Sequence, residues 1–160
     1  MEQELYLILH DIRSAYNVGA IFRTADGCGV RKVYLGGYTP CPADEDKILK
    51  SSADKMIAKT ALGAENHITW EKYDDINELI EKLKKEKITI VALEKTKNSI
   101  SLRGYEKKLP LALILGNEVE GVSDETLEKC DAVVSIPMRG MKESLNVSVA
   151  AGIAMYEILS

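Results

Sequence analysis

The chain has 160 residues, 46% of them hydrophobic and 29% charged, with a net charge of −4. That length and composition fit one globular domain with a real core and exclude a disordered chain. No apolar run reaches the roughly 18 residues that read as a bilayer span, the acidic start "MEQELYLILH" lacks the basic region of a secretory leader, and the negative balance taken alone speaks against a polyanionic partner.

In chain order, "LYLILH" (5–10) reads as a short apolar strand. "NVGAIFRTADGCG" (17–29) reads as a helix with Asn17 as N-cap, Gly29 as stop, and an apolar stripe of Val18, Ile21, Phe22, Ala25 and Cys28. Gly19 and Ala20 are small enough to let another backbone, or RNA, come close. "KVYLGG" (32–37) is a strand ending in two glycines, and the prolines and acids of "YTPCPADED" (38–46) make a loop. Residues 47–61 are expected to form a helix carrying Lys47, Lys50, Lys55 and Lys59, followed by a short strand over "HITW" (67–70) and an amphipathic helix over "DDINELIEKLKKE" (74–86). "ITIVALE" (88–94) and "LALILG" (111–116) are buried strands. "SDETLEKC" (123–130) is a helix capped by Ser123, "AVVSIPM" (132–138) is another strand, and a helix apolar almost all round runs from about Ser144 to the end.

Strands alternating with helices predict an α/β fold, a mostly parallel sheet covered on both faces. No linker, repeat or low-complexity tract divides residues 1–160, so a single domain is expected, with no separate binding domain. Cys28, Cys41 and Cys130 form no CxxC pair, and His10 and His67 are the only histidines. No metal site is expected from that set, and free thiols in a reducing, cytoplasmic setting are the simple reading.

In open α/β sheets, ligands bind beyond the carboxyl ends of the strands. Three such ends here are unusually polar or glycine-rich: "LEKTKN" (93–98), "LGNEVEG" (115–121) and "IPMRGMKESLN" (136–146). The common nucleotide fingerprints are missing. "GCGVRK" (27–32) lacks the third glycine of GxGxxG and precedes a strand, and "LGNEVEG" lacks the Lys-Ser/Thr of a P-loop. A dinucleotide dehydrogenase and an NTPase are therefore disfavoured.

Three stretches in order, "NVGAIFRTADGCGV" (17–30), "LALILGNEVEGVS" (111–123) and "IPMRGMKESLNVSVAAGIAMYE" (136–157), resemble motifs one, two and three of the SpoU/TrmH branch of the SPOUT RNA methyltransferases. The resemblance covers essentially the whole chain, and the intact "SLNVSVA" makes it specific. One departure stands in motif two, where the family often has a glycine and this chain has Val119. The resemblance implies a deep C-terminal trefoil knot, a homodimer, S-adenosylmethionine as cofactor, and methyl transfer to a ribose 2′-hydroxyl of RNA, with tRNA ahead of rRNA. It implies cofactor contacts from the backbone of Gly116, Ile136 and Met138, apolar walls from Leu93 and Leu145, and Ser144 and Asn146 where cofactor meets substrate. Arg23 would be the motif-one catalytic arginine, reaching the partner subunit's site, with Asn17 and Glu118 organising it.

Each residue also has a plainer reading. Ser144 is a fair N-cap, with Asn146 and Ser148 in an exposed first turn. Arg23 could pair with Asp26 at i,i+3 on the helix surface. Asn17 could be only a cap, Glu118 only surface charge beside Glu120, and Lys59 an ordinary surface lysine. His10, at a strand end beside Asp11, could serve as a base near neutral pH or be structural. A basic site on an acidic protein could draw on Arg13, Arg23, Arg31, Lys32, Arg139 and Lys142, whereas "KKEK" (84–87) reads as a solvated helix end.

Overall fold

The computed structural model describes residues 3–44 and 46–160; Met1, Glu2 and Glu45, the last within the loop expected over 38–46, lie outside the described residues. Seven strands form one sheet in which every pairing is parallel: β1 (Leu5–His10), β2 (Lys32–Gly36), β3 (Trp70–Tyr73), β4 (Thr89–Leu93), β5 (Ile100–Ser101), β6 (Leu111–Leu115) and β7 (Ala132–Ser135). Their spatial order is β3-β2-β1-β6-β4-β7-β5. The helices are α1 (Ala15–Cys28), α2 (Ser52–Ala61), α3 (Ile76–Lys85), α4 (Asp124–Glu128) and α5 (Val147–Leu159).

The two-residue period of a strand divides the core in two. Leu5, Leu7 and Leu9 of β1 face one side with Val33, Leu35, Leu111, Leu113 and Leu115, where Val18, Ile21 and Phe22 of α1, Ile57 of α2 and Ala151, Met155 and Ile158 of α5 cover them. Ile8 faces the other side with Ile90, Ala112 and Ile114, under Ile76, Leu79, Ile80 and Leu83 of α3. Central strands buried on both faces are apolar at nearly every position, as "LALIL" is.

Several boundaries differ from the sequence expectation, each for a local reason. The cap of α1 is Ser14, whose Oγ accepts from the Asn17 N–H at 3.1 Å. Asn17 is thus the third helical residue, and buried. The left-handed Gly29 ends α1 as expected. Residues 47–51 are not helical, because Ser51 and Asp54 form a reciprocal capping box that starts α2 at Ser52, while Lys47 pairs with Asp54 at 2.7 Å. β3 begins at Trp70, where "HITW" was expected to end, because a 3₁₀ turn occupies Ala64–Asn66 and Trp70 registers with Val33. β7 stops at Ser135, just before the segment whose Pro137 has no N–H to give a ladder. Asn146 caps α5, its Oδ1 accepting from the Ser148 N–H at 2.9 Å, so the helix starts three residues after Ser144. The two-residue β5 was too short to leave a sequence signal.

The small Gly19 is used for helix packing: a Cβ there would come within 2.6 Å of the Ile57 carbonyl oxygen of α2. α1 is therefore gripped by α2 on one side and by the sheet and α5 on the other. Phe22 of α1 is fully buried in this arrangement. Phe22→Ala is expected to cost about 3–5 kcal/mol of unfolding free energy, measured by urea titration of the far-ultraviolet circular dichroism.

Candidate active site

The loops after β4, β6 and β7 meet at the carboxyl edge of the sheet and enclose a cavity of about 290 Å³. Leu93, Gly116, Ile136, Met138, Ser144 and Leu145, all six residues assigned to cofactor contact from sequence, line it, together with Glu118 and Asn146. Apolar walls come from Leu93, Leu115, Ile136, Leu145, Val147 and Ala150, and carboxylates from Glu94, Glu118, Glu120 and Glu143, against the single cation Lys95. A groove with apolar walls, bare backbone at a glycine and an excess of negative charge suits a ligand that is part aromatic and part cationic.

The β6 loop is shaped by two side chains. The buried Asn117 accepts from the N–H groups of Val119 (2.8 Å) and Glu120 (2.9 Å), and donates through Nδ2 to the Asp11 carbonyl (2.9 Å) and to Tyr38 Oη (2.8 Å). Glu118 turns the other way and accepts from the N–H groups of Arg13 (3.0 Å) and Ser14 (3.1 Å), just ahead of α1, and from Asn17 Nδ2 (3.3 Å). Asn17 Oδ1 in turn accepts from Asn146 Nδ2 at 3.3 Å. Three segments distant in sequence are thereby joined at one point: the start of α1, the β6 loop and the start of α5. Burial works against ionisation of Glu118, but the N–H groups of Arg13 and Ser14 and the Asn17 amide outweigh it and hold its carboxyl below the usual range.

Gly116 has no room for a side chain, since a Cβ would lie 2.6 Å from the Gly121 carbonyl carbon. Val119 is 80% exposed and has no left-handed backbone, so the loop does not require glycine there. Glu94, which sequence reading passed over, accepts from the Val122 N–H at 3.0 Å and the Lys95 N–H at 3.1 Å and ties the β4 loop to the β6 loop. Asn117 was noticed only as part of a motif. Its one available signal was an amide directly after a buried strand and a glycine, where its side chain can serve as a turn.

Arg23 is not brought to the cavity. It is exposed on α1, six residues beyond Asn17, and the pair with Asp26 does not form. His10 lies against Asp11 (3.6 Å) and Gly36 and does not line the cavity; Lys59 is exposed on α2. No group of three or more His, Cys, Asp or Glu side chains among the described residues is placed to hold a metal ion. Burial pushes the Cys130 thiol up to about 11, so it is no thiolate at neutral pH.

Fold and cavity define an α/β protein with a cavity on three loops at one sheet edge. The sequence pattern of the SpoU rRNA methylase family matches residues 4–156, and the chain belongs to that family. It is 32% identical over 157 residues to the putative TrmH family tRNA/rRNA methyltransferase YacO of Bacillus subtilis, covering 98% of this chain and 59% of YacO. The chain thus spans about three fifths of the curated relatives it matches first. Among solved structures, the AdoMet-bound rRNA methyltransferase of Sinorhizobium meliloti superposes with a TM-score of 0.83 at 26% identity, over 99% of this chain and 56% of that one. A protein solved in a study of the 2-OH methylation of C/U34 on tRNA superposes with a TM-score of 0.77 at 25% identity, over 98% and 94%.

Glu118→Gln keeps the shape but loses the charge that holds the Arg13 and Ser14 N–H groups. It is expected to lower stability by about 1 kcal/mol at neutral pH, the exposed setting reducing the usual value of a charged hydrogen bond. The folded-state carboxyl value is depressed, so this stabilisation is complete above the ordinary carboxylate range and is lost as pH falls through the folded-state value. Melting curves of both proteins from pH 7 down to pH 3 should differ by roughly 2–4 °C at the top and converge at the bottom.

Proposed function

We propose that this chain is an S-adenosylmethionine-dependent RNA methyltransferase that modifies a ribose 2′-hydroxyl, acting as a homodimer in the cytoplasm on tRNA or, second, on rRNA. The observation that carries the reading is the meeting of all three motifs around one cavity, with Asn17, Glu118 and Asn146 hydrogen-bonded in series beside it. The relatives' naming as tRNA/rRNA methyltransferases supports RNA as substrate, and the tRNA 2-OH study supports the ribose oxygen and favours tRNA. The AdoMet-bound neighbour supports the cofactor.

The donor set fits that cofactor. Backbone at Gly116, Ile136 and Met138 can bond an adenine edge and ribose, Leu93 and Leu145 can sandwich a flat ring, and the carboxylate excess favours a sulfonium. When bound, S-adenosylmethionine supplies a methyl group already activated by its positive sulfur. Positioning can then provide much of the rate. Ser144 and Asn146 lie on the wall and orient what enters. Glu118 holds the start of α1, and with it Asn17, at the cavity edge.

Arg23 is assigned to the substrate, not to proton abstraction. A guanidinium gives up its proton only above about pH 12, whereas its planar fork matches a phosphate. Its distance from its own cavity, and the exposed row Val149, Ile153 and Tyr156 on α5, support a dimer in which the partner's Arg23 completes each site. The knot is part of this reading. β7, made last, inserts between β4 and β5, which supports passage of the chain end through the loop joining those earlier strands. A second reading, a knotted module that binds RNA or cofactor without catalysis, draws on the acidic balance and less on Val119, which stands where the loop needs no glycine.

Incubation with radiolabelled S-adenosylmethionine and total RNA, followed by nucleoside digestion, should put label into a single 2′-O-methyl nucleoside. Label on a base would sink the ribose assignment, and cofactor binding without label would favour the non-catalytic module. Arg23→Ala should lower transfer at least about 100-fold with cofactor affinity unchanged, and Arg23→Lys should recover only a small part. A clean monomer by analytical ultracentrifugation at micromolar concentration would remove the shared-site arrangement.

A further inference from the structure

Beside the cavity, on the β1 and β2 side, lies an exposed tyrosine that the proposed chemistry does not use. Tyr38 follows the Gly36-Gly37 turn at the end of β2, and 59% of it is exposed. Exposed tyrosines are ordinary, but this one is fastened at both ends. Its backbone N–H donates to Asp11 Oδ1 at 3.1 Å, and its hydroxyl accepts from Asn117 Nδ2 at 2.8 Å. Asn117 is itself buried, lines the cavity and has both its amide oxygen and its amide nitrogen engaged. The next residue, Thr39, is also buried, donating to the Leu9 carbonyl at 2.9 Å and accepting from the Ile12 N–H at 3.0 Å. The residue is therefore fastened at its backbone and at its hydroxyl while more than half of it stays exposed. Of the exposed tyrosines Tyr16, Tyr38 and Tyr156, only Tyr38 has its hydroxyl hydrogen-bonded to a buried side chain among the described residues.

Rigidity of this kind has no packing purpose, since the exposed face covers nothing. It does lower the entropy lost when a flat partner is laid on the ring. Nucleobases stack on aromatic side chains whatever their identity, because each has a π-face. Arg13 stands two residues from the Asp11 that fixes Tyr38. It is exposed and without an ion-pair partner among the described residues, ready for a phosphate of the same strand.

Resting on the RNA-methyltransferase reading above, we infer that Tyr38 is a stacking platform for a nucleobase of the substrate RNA. It sits next to the nucleotide whose ribose enters the site, with Arg13 on the adjoining phosphate. Because Asn117 both holds the ring and shapes the cavity loop, the platform and the cofactor wall are fixed relative to each other. The substrate class is then RNA with an unpaired base at the modified position or its neighbour, since a base stacked in a helix has no free face.

The test is binding of total tRNA to the dimer, read by fluorescence anisotropy, which needs no turnover. Tyr38→Ala should weaken affinity about tenfold, Tyr38→Leu should behave like alanine, and Tyr38→Phe, which keeps the π-face but loses the bond from Asn117, should fall between them and the parent. Cofactor affinity and melting temperature serve as controls for the loop and the fold. Parent-like binding by Tyr38→Ala, or by Tyr38→Leu, overturns the stacking platform. A change in sedimentation with unchanged RNA affinity overturns it too, by giving the ring to a contact between copies. Methyl transfer by the parent protein is scored separately, so loss of the platform and loss of the proposed reaction are told apart.

Discussion

The loop after β6 carries two adjacent side chains with opposite tasks. Asn117 closes its own turn and reaches the ends of β1 and β2, while Glu118 accepts the N–H groups of Arg13 and Ser14 ahead of α1. A parallel sheet leaves its strand ends without hairpin partners, so some other set of bonds must fix the loops there. Here many of those bonds come from one dipeptide, and Glu94 ties the β4 loop to it. The start of α1 cannot move without disturbing Glu118, and Asn17, the third residue of that helix, carries the disturbance to Asn146 and the start of α5. The cavity is thus built from loops but held to the accuracy of the elements they join.

Charge at this edge is sorted rather than uniform. The cavity wall is acidic, and the net charge of −4 makes the whole chain so. Of the residues that sequence alone offered for a basic site, Lys32 is paired with Glu71 at 2.8 Å, and Arg31 makes a looser surface pair with Glu4 at 3.6 Å. Arg13, Arg23, Arg139 and Lys142 are exposed and form no ion pair among the described residues. A protein of this charge cannot gather RNA by a general field at physiological salt, where interactions fade over about 8 Å. In the proposed function a few free cations would fix a phosphate locally, and shape and stacking would supply the rest of the selectivity.

The sheet was legible in the sequence because apolar runs such as "LALIL" and "TIVAL" have no other use in a chain with this alternation. The cavity was legible too, since polar residues after buried strands mark a ligand edge. What escaped was competition between neighbours. Ser14 and Asn17 are both good caps, and nothing local says that Glu118, more than 100 residues away, secures the turn at Ser14. Ser144 lost the cap of α5 to Asn146 for a similar reason, since Asn146 is also tied to Asn17. Glu94, given no role from sequence, braces the backbone of another loop. At these three places a long-range hydrogen bond decides between local preferences, whereas the starts of α2 and β3 are set by neighbouring residues.

α5 shows why the two kinds of information cannot be separated. It is apolar nearly all round, which on a monomer leaves Val149, Ile153 and Tyr156 facing water at three successive turns of one side. Its other side is spent on α1 and the sheet through Ala151, Ala154, Met155 and Ile158. Its first turn is capped by the same Asn146 that lines the cavity. In the proposed dimer, burying the exposed row fixes the axis of α5, and the cap at its end then fixes one wall of the site. Pairing of subunits and shaping of the cavity become a single event. A hydrophobic helix therefore begins in a run of short polar residues because that one turn must end a packing surface and start a binding one.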